Sequence, residues 1–392
     1  MRVVDVDSHY FEPPGWLSEV DPKLAAELPE SDPIERVVRF VVGDLLDTVP
    51  REKLPEDLLD LLAPAGHRAL EHSLGRIAEE SEAVDAAPPT MSYDATARLA
   101  YNDEQGIDVQ FLNPTFASNA IAAASRTGRP ELMQRALEAF NTWSAQVCAG
   151  HTDRLVPTAM IDLADVDWAV AELGRMRAAG SRAFQIRAEP VRGEKSLAHP
   201  DLDPVWAAAA DLGMAAVFHI GAARTEVDKG WYFNGGSPSN FALLHLVAGP
   251  MVPQVALAAM LIEGVFERHP GLVLIVEELG ITWLPHFIQT MDSITTGAHG
   301  ANFGMGPGDY TLPLTPSEYM RRQVRVTPLV SSDPLRPVID EVPEEMLVFS
   351  SDVPHPEGRD GAVQICAAQL EGLPAARQER FFGGEIASLL GV

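Results

Sequence analysis

Asp352 is the first residue whose position suggests chemistry. It follows the apolar run 346–349 and two serines, and a Pro-His-Pro turn comes directly after it. A short apolar run that ends in such a turn is typical of a buried parallel strand. A carboxylate at the end of such a strand needs a metal ion, a base partner or a substrate, because burying an unpaired charge is costly. The alternative is an aspartate that caps the next helix.

Acidic and imidazole side chains also stand where other predicted strands end. Asp7 and His9 end the first strand, His219 ends the fifth, and Glu277 and Glu278 end the sixth. Residues i and i+2 of a strand point to the same face, so Asp7 and His9 can reach one ion. A single histidine after an apolar strand is more often a hydrogen-bonded core residue. Four strand ends that carry ligand-type residues together predict a metal site.

These residues need a scaffold that brings distant strand ends together. From residue 92 onward, predicted strands alternate with helices of about 10–15 residues, which indicates βαβ units and a parallel sheet. The eight predicted strands are 3–6, 107–112, 155–160, 183–187, 214–219, 273–278, 324–327 and 346–350. We therefore predict an α/β fold, a distorted (β/α)8 TIM barrel with its active site at the C-terminal strand ends. A doubly wound sheet is less favoured, since no Gly-x-Gly-x-x-Gly turn follows the first strand.

Residues 20–90 interrupt this alternation. They are rich in proline, and short stretches with apolar residues at helical spacing lie between the prolines. We interpret them as a helical cap inserted after strand 1, within one barrel domain that spans residues 1–392. The alternative is a surface excursion without a function.

The composition excludes several classes of protein. The 392 residues are 46% hydrophobic and carry a formal net charge of -27, which argues against binding to nucleic acid or an anionic membrane. The two cysteines imply no disulfide framework. We expect no signal peptide, and no membrane span either, since the sequence holds no run of about 18 apolar residues. We expect a cytoplasmic homo-oligomer that acts on a small-molecule substrate.

Motifs spread along nearly the whole chain resemble those of the amidohydrolase-related family (amidohydrolase family 2) of the metal-dependent hydrolase superfamily. They include Asp-Val-Asp-Ser-His at 5–9, Gly-Ile-Asp-Val at 106–109, Asn-Pro-Thr at 113–115, Asp-Arg-Leu-Val-Pro at 153–157, Glu-Arg-His-Pro at 267–270 and Ser-Asp-Val-Pro-His at 351–355. The resemblance implies a distorted (β/α)8 barrel with a divalent metal at the strand ends.

Two positions depart from the family pattern. The family usually carries His-x-His or Glu-x-His on the first strand, where this chain has Asp7, and often a histidine after strand six, where it has Glu278. No lysine ends strand four, so a carbamylated-lysine bridge is not expected. The resulting predicted metal ligands are Asp7, His9, His219, Glu278 and Asp352.

This carboxylate-rich set bears on the metal. Imidazole with several carboxylates suits iron or manganese at least as well as zinc, and carboxylates can bridge two metals about 3.5–4 Å apart. We favour two iron ions, with manganese or zinc as alternatives. His245 is a candidate ligand of a second metal, and the alternative is a helix face packed on the barrel.

The resemblance leaves more than one activity open. The family implies hydrolysis or decarboxylation of a carboxylic acid or amide, with Asp352 as general base and His219 stabilising the developing charge. A branch of barrel-fold non-heme diiron monooxygenases, which includes the hydroxylase of the platensimycin and platencin pathway, would use O2. The carboxylates Asp7 and Glu278 favour this second activity. A barrel that has lost catalysis is disfavoured by the intact ligand set.

Other residues are candidates for supporting roles. His355 lies beyond a proline after Asp352, so we expect it to support the ligands or carry a proton rather than bind the metal. Arg187 could meet a substrate carboxylate or pair with Glu189. The predicted aromatic lining of the substrate pocket comprises Tyr10, Phe116 and Trp283.

Overall fold

A parallel β-sheet forms the centre of the molecule. The computed structural model describes residues 1–13, 15–28, 89–115, 117–192, 194–220, 250–296, 310–355 and 358–392. Seven parallel strands of this part are hydrogen-bonded in sequence order. They are β1 (Val4–His9), β2 (Val109–Asn113), β3 (Leu155–Met160), β4 (Ala183–Ile186), β5 (Ala215–His219), β6 (Val273–Glu277) and β7 (Val324–Val326). Parallel strands in sequence order with helices between them confirm the predicted distorted (β/α)8 barrel.

Helices connect the strands and cover the outside of the sheet. Local signals set their ends: Asp94 accepts a hydrogen bond from the Ala97 amide, and the helix that follows ends at Gly106 in a left-handed conformation. The described helices are α1 (Trp16–Val20), α2 (Pro22–Glu27), α3 (Ala95–Gln105), α4 (Ala117–Arg126), α5 (Pro130–Cys148), α6 (Val166–Ala178), α7 (Asp203–Leu212), α8 (Met251–Ile262), α9 (Val265–Arg268), α10 (Leu284–Thr296), α11 (Pro316–Gln323), α12 (Leu335–Ile339), α13 (Ala362–Gln369), α14 (Ala375–Glu379) and α15 (Glu385–Leu390).

The strands are apolar on both faces because each face has its own core. Val217 belongs to a cluster of alternate residues from β1 to β6, which fills the barrel interior. Its neighbour Phe218 belongs to a second cluster that includes Trp206 of α7, between the sheet and the helices. Burial on both faces explains the near-continuous apolar runs. Each fully buried large side chain contributes about 1.5–3 kcal/mol.

Residues 346–350 close the barrel without forming a regular strand, which corrects the prediction of an eighth strand there. The Val326 amide donates to the Met346 carbonyl on one side, and the Val6 amide donates to the Phe349 carbonyl on the other. The Phe349 amide donates to the Phe381 carbonyl near the C-terminus. The Phe349 amide therefore cannot bond to a neighbouring strand, and the segment does not form a regular strand.

The N-terminal strand ends are closed by the C-terminal helix. Ile386 and Leu390 of α15 join the cluster in the barrel interior. On the same helix, the partly buried Glu385 forms an ion pair with the buried Arg325 of β7, with 2.6 Å between Oε1 and Nη2. The open end therefore lies at the C-terminal strand ends, where the candidate ligands stand.

Most of the predicted cap lies outside the described residues. Only 20–28 and 89–90 of the range 20–90 are described, and they include α2, capped by the Asp21 side chain at the Leu24 amide. The single-domain organisation of residues 1–392 stays a prediction. No helix in the described ranges has the length and hydropathy needed to cross a membrane.

Candidate metal centre

The first strand brings two candidate ligands to one point. The pairing of β1 with β2 shifts register between Asp5 and Ser8. Such an irregularity redirects side chains at the end of a strand. Asp7 lies within this shift and His9 just beyond it; Asp7 Oδ1 is 3.2 Å from His9 Nε2, and both residues are buried. The predicted convergence of Asp7 and His9 is therefore present in the geometry.

Before the shift, Asp5 takes part in a different hydrogen-bond network. Its carboxylate accepts from Gln110 Nε2 at 2.8 Å and from the Ser351 hydroxyl at 2.6 Å. Burial raises the pKa of Asp5 to about 7, although these hydrogen bonds oppose the increase. Asp5 thus ties β1 to the residue before Asp352.

The fifth and sixth strands add His219 and Glu278. His219 Nε2 lies 3.1 Å from His9 Nε2, 3.2 Å from Glu278 Oε2 and 3.6 Å from Asp7 Oδ1. His219 is the last residue of β5, and Glu278 directly follows β6. Because neighbouring parallel strands end at the same edge, side chains distant in sequence meet there.

Asp352 completes the predicted set. Its Oδ1 lies 3.6 Å from His9 Nε2. Two backbone hydrogen bonds hold its segment against β1, from the Asp352 amide to the Asp7 carbonyl at 2.8 Å and from the His9 amide to the Val353 carbonyl at 2.9 Å. The five predicted ligands therefore lie together at one end of the barrel.

Glu278 and Asp352 share an unusual backbone conformation. Their φ angles are 59° and 58°, in the left-handed region that residues other than glycine seldom adopt. Each such residue costs about 1–3 kcal/mol, and such residues concentrate at functional sites. The local backbone therefore turns both carboxylates towards the histidines at the expense of stability.

Backbone carbonyls orient the two histidines. His9 Nδ1 lies 3.1 Å from the Pro114 carbonyl, and His219 Nδ1 lies 2.7 Å from the Ile220 carbonyl. A carbonyl oxygen only accepts, so each Nδ1 carries hydrogen, an assignment that follows from the hydrogen bonds. In neutral rings the two Nε2 lone pairs would then face each other at 3.1 Å. A proton or a metal cation must lie between them, and these donors fit a divalent metal.

The pKa shifts of Asp7 and His219 agree with this need for positive charge, whereas the pKa shift of His9 favours a neutral ring. Burial opposes the ionisation of Asp7, but hydrogen bonds from His219 and His9 outweigh it and hold the pKa of Asp7 below its usual range. Burial also opposes the charged form of His219, yet Asp7 raises the pKa of that ring. For His9, burial and the nearby His355 lower the pKa to about 4.

His355 lies beside the candidate ligands. Its Nδ1 is 2.9 Å from Asp352 Oδ1, its Nε2 is 3.0 Å from the Thr115 hydroxyl, and its ring centroid is 3.9 Å from that of His9. A supporting or proton-carrying role for His355 stays a prediction. Two overlapping groups have all their donor atoms within 4.8 Å of one another: Asp7, His9 and His219, and His9, Glu278, Asp352 and His355.

The end of β2 also contributes to the centre, a role that was not predicted from the sequence. Asn113 Nδ2 donates to Asp7 Oδ1 at 3.0 Å and to Glu277 Oε2 at 3.1 Å. The Thr115 hydroxyl lies 3.3 Å from His9 Nδ1. The signal was available, since Asn113 and Thr115 follow a predicted strand as the proposed ligands do.

Two of the predicted substrate-binding residues already have partners within the protein. Tyr10 is buried, and its hydroxyl contacts Ser144 Oγ at 2.9 Å and Cys148 Sγ at 3.2 Å on α5. Arg187 pairs with Glu189, with 2.6 Å between Nε and Oε1. These contacts favour packing for Tyr10 and the ion-pair alternative for Arg187.

Trp283 lies in the loop after β6. It is half-buried, its Nε1 donates to the Gly280 carbonyl at 2.8 Å, and its ring packs edge-on against Phe287. A pocket role for Trp283 remains a prediction. Phe116 and His245 lie outside the described residues.

Comparison with known proteins identifies the family of the chain. A family model described as amidohydrolase matches residues 84–392. A search of curated proteins found no match.

Several solved structures are similar over the whole chain. An amidohydrolase from Mycobacterium avium subsp. paratuberculosis K-10 is 24% identical, with a TM-score of 0.69 over 100% of this chain and 98% of that chain. A 5-carboxyvanillate decarboxylase from Sphingomonas paucimobilis is 20% identical, with a TM-score of 0.65 over 100% and 99%. A 5-carboxyvanillate decarboxylase from Novosphingobium aromaticivorans DSM 12444, with bound manganese, is 17% identical, with a TM-score of 0.60 over 100% and 97%. Since the family model matches most of its length, the chain belongs to the amidohydrolase family.

Proposed function

We propose that the protein is a metal-dependent enzyme that decarboxylates or hydrolyses a small carboxylic acid or amide, with decarboxylation the favoured reaction. One observation carries the proposal: His9 and His219 direct their Nε2 atoms at each other, 3.1 Å apart, among three carboxylates. Family membership supports a metal-dependent enzyme. The decarboxylases among the similar structures support the favoured reaction.

The donors indicate where a metal would bind and which metal suits it. Asp7, His9 and His219 would hold it, with Glu278 and Asp352 beside them. A divalent ion there would polarise a substrate oxygen and lower the pKa of a bound water. We favour manganese over zinc, because hard carboxylate oxygens dominate the set. The manganese in one similar decarboxylase agrees with this choice.

Asp352 and His355 would handle the proton. Asp352 Oδ1 and His355 Nδ1 are 2.9 Å apart and share one hydrogen, while Thr115 holds the other side of the imidazole. In decarboxylation the pair would give a proton to the carbon that loses CO2. The carboxylate substrate and one proton then become CO2 and the decarboxylated product, in which hydrogen replaces the carboxylate. In hydrolysis it would take a proton from water. Both reactions need the same two side chains at the same place.

A non-heme diiron monooxygenase is the second candidate. Its supporting observation is the pair of overlapping donor groups, since two metals joined by a bridging carboxylate could divide these donors, with His9 a ligand of one of them. This activity would hydroxylate an apolar or acid-bearing metabolite and consume O2. The sequence favoured it, but the similar structures are decarboxylases and an amidohydrolase. We therefore place it second.

The test separates the activities by their need for oxygen. Metal-free protein is loaded without air with manganese, iron or zinc in turn and given matched panels of small carboxylic acids and amides. We expect turnover in air-free buffer, with CO2 release from an acid or carboxylate release from an amide. His219→Ala should keep its circular dichroism spectrum and lose both metal and turnover. Turnover that requires O2 and places labelled oxygen in the product would contradict the proposal in favour of the monooxygenase.

A further inference from the structure

Asn113 occupies an unusual place inside the barrel. It is the last residue of β2, it is buried, and its Nδ2 contacts carboxylates on two different strands. Asp7 stands on the neighbouring strand β1. Glu277 stands on β6, which lies across the barrel in the strand order. One amide group therefore spans the interior directly beside the candidate metal centre.

The hydrogen bond from Asn113 reaches the Asp7 oxygen that lies nearest to both histidines. Asn113 Nδ2 lies 3.0 Å from Asp7 Oδ1. The same Oδ1 lies 3.2 Å from His9 Nε2 and 3.6 Å from His219 Nε2. An amide nitrogen carries two hydrogens, so it can donate one to Asp7 and one to Glu277. Asn113 thus contacts the carboxylate oxygen that faces both histidines.

Glu277 and Glu278 are adjacent, but they lie in different surroundings. Glu277 is still part of β6, where it pairs with His219, and it contacts the Asn113 amide at 3.1 Å. Glu278 is past the end of the strand, and its left-handed backbone brings its Oε2 to 3.2 Å from His219 Nε2. Of the two, Glu278 therefore faces the metal centre. Glu277 is a fixed acceptor that holds the amide of Asn113.

We propose that Asn113 is a positioning residue that, anchored on Glu277, keeps Asp7 Oδ1 turned towards the metal. The inference rests on the metal site of the proposed function. Asp7 without this donor could rotate away from the histidines, and its buried oxygen would lose a hydrogen bond. Loss of a group that orients a metal ligand typically costs about 10–100-fold in metal affinity.

The test compares two buried asparagines. Asn113→Leu keeps the side-chain volume and removes the amide. Asn141→Leu is the control, because Asn141 of α5 is also buried and donates from Nδ2 to a glutamate, Glu172 Oε1 of α6, at 2.7 Å. Its side chain also hydrogen-bonds the backbone of Met160 rather than a candidate ligand. Binding of Mn²⁺ is titrated by electron paramagnetic resonance of the free ion, and thermal unfolding of metal-free protein is measured alongside.

The expected results separate positioning from packing. Both variants should unfold at a lower temperature, but only Asn113→Leu should bind Mn²⁺ about 10–100-fold more weakly than the wild type. Equal Mn²⁺ affinity of Asn113→Leu and wild type would overturn the inference while leaving the metal site standing. A wild-type protein that binds no Mn²⁺ would instead contradict the proposed function.

A second variant covers the case in which Asn113→Leu does not fold. Glu277→Met leaves Asn113 in place and removes the acceptor that anchors it. We expect weaker Mn²⁺ binding in the same direction. Wild-type affinity in a folded Glu277→Met protein would show that the anchor is not needed, and the inference would fail.

Discussion

The two ends of the barrel both bury charged groups, but they arrange them differently. At the N-terminal strand ends, Arg325 and Glu385 form an ion pair of 2.6 Å, so opposite charges are balanced within the protein. At the C-terminal ends, the ion pairs of Asp7 are with His9 and His219, rings that are charged only when protonated. One end of the barrel therefore has a pair that is complete, and the other end has a cluster that needs a cation. The first arrangement maintains the fold, and the second is suited to binding.

Backbone conformation differs between the ends in the same way. Glu278 and Asp352, at the C-terminal ends, have left-handed φ angles. At the other end, α15 fills the barrel opening with apolar side chains and ends at Gly391, where a left-handed angle costs little. Strained residues are thus placed where candidate ligands stand. This contrast predicts that substitutions at the N-terminal strand ends change mainly stability, whereas substitutions at the C-terminal strand ends change mainly metal binding and turnover.

The largest effect on stability is expected at the closed end. Arg325→Met would leave the partly buried Glu385 with Arg380 as its ion-pair partner among the described residues, at 3.1 Å. Removing one partner of a fully buried pair costs about 3–5 kcal/mol of unfolding free energy, so we expect a loss of up to that size, measured by urea denaturation. The Mn²⁺ affinity of the folded fraction should stay unchanged. A double variant with Glu385→Leu should recover part of the loss, and no recovery would show that packing rather than charge dominates there.

The next effect falls on turnover at the open end. His355→Ala should lower turnover about 10–100-fold and leave Mn²⁺ bound. The His355 ring contacts Asp352 and Thr115, and we expect it to support the ligands rather than bind the metal itself. His269→Ala is the control, since His269 pairs with Asp203 away from the centre at 3.1 Å. Loss of bound Mn²⁺ in His355→Ala would instead make His355 a ligand.

A smaller effect, of opposite sign, is expected at Glu278. Glu278→Asn should raise the unfolding free energy of the metal-free protein by about 1 kcal/mol, because asparagine tolerates the left-handed backbone better and one carboxylate leaves the cluster. It should also weaken Mn²⁺ binding. Arg192→Asn is the control, since Arg192 in the loop after β4 also has a left-handed φ, 51°, and is not one of the candidate ligands. Stabilisation without weaker Mn²⁺ binding would remove Glu278 from the ligand set.

The smallest effect concerns the cysteines, which lie in the apolar cores. Burial raises the pKa of both Cys148 and Cys366 to about 12. At pH 8 both thiols should stay protonated and unreactive towards a disulfide reagent in the folded protein and react only after unfolding. Fast labelling of either thiol in the native state would show that its core opens to solvent.

Much of the fold and of the site is predictable because strand ends can be recognised locally. Strand β3 has the predicted bounds, Leu155–Met160, since an apolar run between turns specifies a buried parallel strand. Asp7, His9, His219, Glu278 and Asp352 could be proposed as a group because parallel strands end at one edge.

Features that depend on barrel closure were not predictable from local patterns. The contact between Asn113 and Glu277 joins residues 164 positions apart across the interior. The irregular segment 346–350 results from the Phe349 amide bonding to Phe381. Tyr10 reads as a pocket residue beside His9, yet it faces α5 because alternate residues of an extended chain point to opposite sides.

Anomalous diffraction at the manganese edge, from crystals grown with Mn²⁺, tests directly whether His9, His219 and Asp7 bind a metal ion. We predict a peak between His9 and His219, with each Nε2 at about 2.0–2.2 Å and Asp7 Oδ1 in the same coordination shell. Crystals in which Mn²⁺ leaves no peak there and the two imidazoles stay in contact at 3.1 Å would show that these residues are not a metal site.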